Sequence, residues 1–197
     1  PRTHVSFTTD PCYYSASNSI IVQWSFLPKD KLNEQAKEFE PLARLKANVT
    51  GIDFIKQNIT IAERHAKKSN VKIEYFHKNL NKLNLSKKYD AILILEVLEH
   101  IDDWKKIIIN VKKLLKPRGK IIISTINRNF FSKLFAIFIA ENILNWVPRK
   151  THKYSKLIKP EELRPFLNKN NINVTDVTGL IFNPLSGQWM LEKIIVL

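Results

Sequence analysis

Cysteine is nearly absent. Cys12 stands alone among 197 residues, so no internal disulfide can form and a reducing compartment fits the chain. Glycine is scarce too: there are four, and none precedes Gly51, which excludes a glycine-rich loop of the kind that lets backbone approach a nucleotide-like ligand anywhere upstream of that residue. No block of like charges occurs, which argues against a solvated basic or acidic tail. A long apolar run is missing as well. The most apolar stretch, Phe130 to Val147, is interrupted by Lys133, Glu141, Asn142 and Asn145, too short and too polar to cross a bilayer as one helix. Ile20 to Leu27 lacks the basic flank and cleavage site of a secretory signal. The first residue is Pro1 rather than Met, as expected of a processed chain, a fragment or a mistaken gene model.

What is present suits a globular domain. The length is enough to bury a core, and 44% hydrophobic with 25% charged residues is an ordinary globular balance. The net charge of +14 has two readings. One is an anionic partner: nucleic acid, a membrane surface or an acidic substrate. The other is codon bias toward Lys, Asn and Ile. Nucleic acid is the weaker choice of partner, because no stripe of interleaved aromatic and basic residues marks a single-strand binder.

From residue 40 onward helical and extended patterns alternate. Pro41 to Lys46 reads as a helix end and Asn48 to Ile52 as a buried strand ending at Asp53; Ile55, Ile59, Ala62 and Ala66 then recur at helical spacing. Val71 to Phe76 alternates like a strand, and Tyr89 to Leu95 is a continuous apolar run, as expected of a parallel strand covered on both faces. Ile101, Trp104, Ile108, Val111 and Leu115 form a helical stripe with Lys105, Lys106, Lys112 and Lys113 facing away, ended by Pro117-Arg118-Gly119. Lys120 to Ser124 reads as a strand, Phe130 to Trp146 as an apolar helix, and Pro160 as the first turn of a short helix. Val174 to Val177 and Lys193 to Leu197 read as two last strands around an Asn183 to Gly187 turn. The expected fold is α/β, a doubly wound Rossmann-like sheet with helices on both faces, whose ligands bind at the carboxyl ends of the strands.

Two places after strands carry chemistry. Asp53 can accept hydrogen bonds from both hydroxyls of a ribose, or it can simply cap the following helix. Glu96, Glu99 and His100, if helical, share one face and can hold a divalent cation; equally, they are a helix start enriched in acids that answer its dipole.

Tyr89 to Ile92 through Leu95-Glu96-Val97-Leu98-Glu99-His100 resembles the post-II signature of class I S-adenosylmethionine-dependent methyltransferases. Leu115 to Gly119 resembles the turn before their fifth strand, with Arg118 where glycine is usual. More specific are Ser124-Thr125-Ile126-Asn127-Arg128-Asn129, Val147 to His152, Ile158 to Leu163, and Thr178-Gly179-Leu180 followed by Asn183-Pro184. In this order they are similar to the ubiquinone-biosynthesis O-methyltransferase family, over about four fifths of the chain from Glu40 to the C-terminus. The resemblance implies that Asp53 binds the ribose of S-adenosylmethionine, that Leu95 contacts the cofactor, that Asn79 and Leu80 lie near the adenine, and that Glu96, Glu99 and His100 bind magnesium. It implies methyl transfer to a phenolic hydroxyl of a polyprenylated ubiquinone precursor, of the 2-polyprenyl-6-hydroxyphenol and 3-demethylubiquinol type. His100 is then either part of the cation site or a general base in its own right.

The departure from the family lies upstream. Its Asp-x-Gly-Cys-Gly-Gly-Gly loop has no counterpart, and Glu40 to Leu45 resembles the helix directly after that loop. Residues 1–39 therefore stand as an unmatched segment before a partial methyltransferase domain at 40–197, and an impaired remnant of the family is the alternative to a working enzyme. Ser19 to Phe26 has the composition of the missing central strand, but Pro28-Lys29-Asp30 cannot replace the glycine loop. The insoluble tail of such a substrate calls for a membrane. The apolar residues between Phe130 and Trp146, flanked by Arg128, Lys133, Arg149, Lys150 and Lys153, offer either a face for anionic lipid or a buried helix. Expected partners are that lipid surface through residues 128–153 and other enzymes of ubiquinone biosynthesis, without nucleic acid. The expected location is the cytoplasmic face of a bacterial inner membrane, or the matrix side of the mitochondrial inner membrane in a eukaryote.

Overall fold

The computed structural model describes residues 2–4, 18–23, 39–80, 83–129, 153–183 and 188–193. In chain order the elements are strands β1 (Arg2–His4) and β2 (Asn18–Gln23), helix α1 (Glu40–Arg44), strand β3 (Asn48–Asp53), helix α2 (Lys56–Lys68), strands β4 (Ile73–His77) and β5 (Tyr89–Leu95), helix α3 (Trp104–Lys112), strand β6 (Leu115–Ile126), helix α4 (Pro160–Lys169), and strands β7 (Thr178–Asn183) and β8 (Gln188–Lys193). Short 3-10 turns stand at Leu98–His100 and Tyr154–Lys156. The chain forms two compact units, Thr8–Leu95 with Lys106–Ile121, and Pro1–Phe7 with Glu96–Lys105 and Ile122–Leu197.

In the unit containing Thr8–Leu95, β4, β3, β2 and β5 pair in parallel in that order. The sheet, expected to be incomplete at its first strand, is filled there by β2: Val22 pairs with Ile52 on one side and Ile94 on the other, and Gln23 pairs with Leu95. Along β3 and β5, Val49, Ile52, Ile92, Leu93 and Ile94 are all buried, which is why these strands read as continuous apolar runs. Helix α2 turns Ile59, Ala62 and Ala66 into the core, at the spacing the sequence shows. Asn70, in left-handed conformation at φ 54°, closes it while the Val71 amide donates to the Ala66 carbonyl. In α1, the buried Glu40 carboxylate takes His65 of α2 and Arg44, tying the two helices. Burial of Glu40 pushes its pKa up, but the bonds from Ser69, His65 and Arg44 outweigh it and hold it below its usual value.

The other unit is antiparallel. The end of β6 pairs with β1 (Thr125 with Thr3), β1 with β7 (Thr3 with Gly179), and β7 with β8 (Asn183 with Gln188). Helix α4 begins at Pro160, as its missing amide proton allows, and buries Leu163 and Leu167. The Trp104 and Phe166 rings meet edge to face at 5.1 Å, and Lys105 lies over both.

Several expectations are corrected. Strand β6 starts at Leu115, so Pro117-Arg118-Gly119 lies within it and α3 has already ended at Lys112. The strand accommodates this because Arg118 turns left-handed at φ 64°, a conformation that costs an L-residue about 1 kcal/mol or more. The buried stripe of α3 is Ile107, Ile108 and Val111, without Ile101 or Leu115. Val174 to Val177 is irregular, and the pair of last strands sits at Thr178–Asn183 and Gln188–Lys193. Residues 194–197 and the helix expected over Phe130 to Trp146 lie outside the described residues.

Gly51 permits a close approach. A Cβ there stands 2.6 Å from Tyr75 Cδ1, inside the ring of the neighbouring strand. Gly51→Ala is expected to lower stability by about 1–3 kcal/mol, and by less in a Tyr75→Leu background, as read by urea denaturation.

Candidate functional site

The carboxyl edge of the parallel sheet carries the first group of expected residues. Asp53 is the last residue of β3 and Leu95 the last of β5, on either side of β2; Asn79 and Leu80 follow β4. Leu80 is buried and Asn79 exposed. Asp53 Oδ1 accepts the Ile55 amide proton at 2.7 Å, and Oδ2 accepts from Asn58 Nδ2 at 2.9 Å. The Ile55 bond is a local turn at the entry to α2, so Asp53 does shape that helix start. It does not exhaust the group, because an ionised carboxylate has about four acceptor sites. Burial pushes the Asp53 carboxyl above its usual range, opposed by the Asn58 and Ile55 bonds. The main-chain carbonyl of Asp53 takes the Lys78 amide, fixing the strand end against the chain that leads to Asn79. An acceptor at this strand end fits the ribose of an adenosyl cofactor. The segment between β2 and α1, where a methionine-binding loop belongs, holds no glycine and lies outside the described residues.

The second group departs from expectation. No helix starts at Glu96. That residue is left-handed at φ 53°, and Leu98–His100 forms a 3-10 turn, so Glu96, Glu99 and His100 do not share a helical face. Glu96 turns to Ser124: its amide donates to the Ser124 carbonyl and hydroxyl, both at 3.1 Å, and its Oε1 accepts from the Ser124 hydroxyl at 2.9 Å. Glu99 turns to the next residues of β6, accepting from Thr125 Oγ1 at 3.0 Å and from the Ile126 amide at 3.3 Å. Glu99 is 3% exposed, and burial pushes its carboxyl up to about 8, with the Glu96 carboxylate adding to the rise and its own amide, Thr125 and Ile126 opposing it.

This donor set does not fit magnesium. A hard dication needs ionised, convergent oxygens. Burial raises the Glu99 carboxyl to about 8, and its two oxygens are turned to donors on β6 rather than toward Glu96 and His100. Among the described residues, no group of three or more His, Cys, Asp or Glu side chains is placed to hold a metal ion. His100 is half-buried, with its amide donating to the Val97 carbonyl, and stays a candidate for proton transfer alone. Ser124 and Thr125, the partners that decide the matter, were legible only as part of a motif. Downstream, Arg128 is committed to Glu162 and the Ser155 carbonyl, Lys156 pairs with Asp102 at 2.6 Å, and Lys153 is exposed.

Residues 35–123 match the methyltransferase domain family. The chain is similar to the ubiquinone biosynthesis O-methyltransferase of Rhizobium leguminosarum bv. trifolii, 44% identical over 78% of this chain and 62% of that one. It is also similar to the enzyme of the same name in Rickettsia typhi, at 43% over the same shares. The chain thus spans about three fifths of the length of these relatives. Among solved structures it resembles magnesium protoporphyrin IX methyltransferase from Synechocystis with bound S-adenosylhomocysteine, at TM-score 0.65 and 17% identity, over 86% of this chain and 70% of that one. The fold is that of class I S-adenosylmethionine-dependent methyltransferases.

The buried Glu99 sets a pH dependence. Unfolded, the group titrates near 4.5, and folded it holds its proton to about 8. Between those values the unfolded state releases a proton that the folded state keeps, so native stability falls as pH rises through that window. Glu99→Gln removes the titration. Its unfolding free energy is expected to match the wild type near pH 4.5 and to exceed it at pH 8 by an amount on the order of a few kcal/mol, read by calorimetry.

Proposed function

We propose that this chain is a member of the ubiquinone biosynthesis O-methyltransferase family and transfers a methyl group from S-adenosylmethionine to a phenolic hydroxyl of a polyprenylated ubiquinone precursor. The observation that carries the reading is the placement of Asp53 and Leu95 at the carboxyl ends of β3 and β5, with β2 between them. Ligands of open α/β sheets bind at such strand ends.

The bound cofactor supplies an already activated methyl group. The chain's tasks are therefore to hold it, to align the acceptor oxygen and to remove the phenolic proton. Asp53 accepts from the ribose hydroxyls with the lone pairs that Ile55 and Asn58 leave over. A phenol near the acidity of Tyr, about 10, is a poor nucleophile while protonated, and His100 is the residue we assign to take that proton. No step is assigned to a cation.

One observation favours a second reading, an impaired remnant: no glycine precedes Gly51, and Pro28-Lys29-Asp30 follows the central strand. The glycines of a cofactor loop admit backbone to van der Waals contact, and Pro and charged side chains do not. The nucleic-acid reading gains no support.

The same proposal includes a membrane. The net charge of +14 and the apolar residues between Phe130 and Trp146 support contact with anionic lipid, at a bacterial inner membrane's cytoplasmic face or the matrix side of the mitochondrial one. Of the flanking cations that are described, Arg128 is occupied by Glu162, so Lys153 is the better lipid contact. Among the described residues no helix is long and apolar enough to cross a bilayer. Other ubiquinone-biosynthesis enzymes are candidate partners at that surface.

Two measurements test this. Calorimetric titration with S-adenosylhomocysteine is expected to give a Kd of about 100 µM or weaker for the wild type, and a further loss of about tenfold or more in Asp53→Asn, which keeps the Ile55 turn but not the charge. Absence of any binding at millimolar ligand selects the remnant reading. Co-sedimentation with vesicles containing phosphatidylglycerol should exceed that with neutral vesicles and fall with added salt; equal recovery on both removes the anionic-lipid contact.

A further inference from the structure

We infer that Glu96 and Glu99 are the two halves of a clasp that fixes the turn from Val97 to His100 to the end of β6, and that neither is a ligand of a divalent cation. Ser124 and Thr125 are neighbours on an extended strand, so their side chains leave it on opposite faces. Each meets one of the two glutamates: Ser124 bonds Glu96, and Thr125 bonds Glu99, with the Ile126 amide as a second donor to Glu99. A cation cage requires the two carboxylates to converge on one point. Here they diverge to successive residues of one strand, and the described residues hold no three-membered acidic or imidazole group suited to a metal.

Burial and backbone agree with a strut. Ser124 is 1% exposed, Thr125 4% and Glu99 3%, so these bonds replace water that cannot reach them. The left-handed backbone of Glu96, at φ 53°, is unfavourable for a branched-chain or long side chain and persists where its surroundings over-determine it. Three hydrogen bonds to the one residue Ser124 do so. The consequence is positional. His100 donates its amide to Val97 inside the clasped turn, so its ring is placed by two carboxylates that do not themselves react. This bearing on catalysis rests on the role proposed for His100; the clasp itself does not.

The test separates a strut from a ligand by the conservative variant. In Glu99→Gln the amide oxygen accepts from Ile126 and the amide nitrogen donates to the Thr125 hydroxyl, which rotates to accept. Glu99→Ala leaves both partners unbonded. The clasp predicts that Glu99→Gln keeps the wild-type melting temperature or exceeds it, whereas Glu99→Ala and Thr125→Val each lower it by about 5 °C or more and together by less than their sum. It also predicts that Mn2+, used as an electron-spin-resonance probe for Mg2+, shows no saturable site below about 1 mM on the wild-type chain. In Thr125→Val, held below its melting range, the ring resonance of His100 shifts while those of His65 and His77 do not, which a general loss of stability does not produce. One Mn2+ per chain, lost in Glu99→Gln and Glu99→Ala alike, overturns the inference. So does a Glu99→Gln variant as unstable as Glu99→Ala. Should Glu99→Ala fail to fold, the Mn2+ measurement on the wild type and the Gln variant still decide.

Discussion

The backbone pairing of β2 is the constraint on which the parallel unit depends. β3 and β5 each present a row of amides and carbonyls toward the slot between them, and buried backbone groups must find partners. Asn18–Gln23 fills the slot and bonds both neighbours in parallel, with Val22 between Ile52 and Ile94. That register also places Asp53 and Leu95 at a common edge. Pairing of this kind is nearly blind to side chains: a short segment rich in Ile and Val satisfies it. The loop that follows the strand is not so forgiving, because approach of backbone to a ligand requires glycine. The demands on the strand and on a ligand-contacting loop therefore part company just after Gln23: the pairing of β2 is met, and no glycine follows before Gly51.

Where one physical demand decides a segment, the sequence is legible. Tyr89 to Leu95 is apolar because both faces of β5 are covered, and the α2 stripe of Ile59, Ala62 and Ala66 follows from one buried helical face. Where two demands compete, the pattern misleads. Pro117-Arg118-Gly119 has the composition of a turn, and Arg118 is left-handed there, yet these residues fall within the span of β6, where a side chain at Gly119 would meet Leu115 and the Lys116 and Asp90 carbonyls. The acids at Glu96 and Glu99 have the spacing of a helix face, but long-range bonds to Ser124 and Thr125 pull them apart. Arg2–His4 carries too few residues for any periodicity, and only its partners on β6 and β7 make it a strand.

The two buried carboxylates, one ending β3 and one in the turn after β5, invite the same interpretation and deserve different ones. Asp53 and Glu99 are both held above the usual carboxylate range by burial. Each therefore stands at some cost to stability near neutral pH, which is common at functional sites and equally possible for a polar group that specifies structure. Perturbed acidity alone does not separate them.

Their partners do. Asp53 is bonded by near neighbours in the chain, Ile55 and Asn58 among them, so its contacts organise its own strand end. The partners of Glu99 are 26 and 27 positions away, on another strand, and they take both of its oxygens. A side chain whose bonds are local organises its own segment; one whose bonds are long-range joins distant parts of the chain. On that ground Glu99 ties the turn after β5 to β6, while Asp53 shapes the end of β3 and the entry to α2.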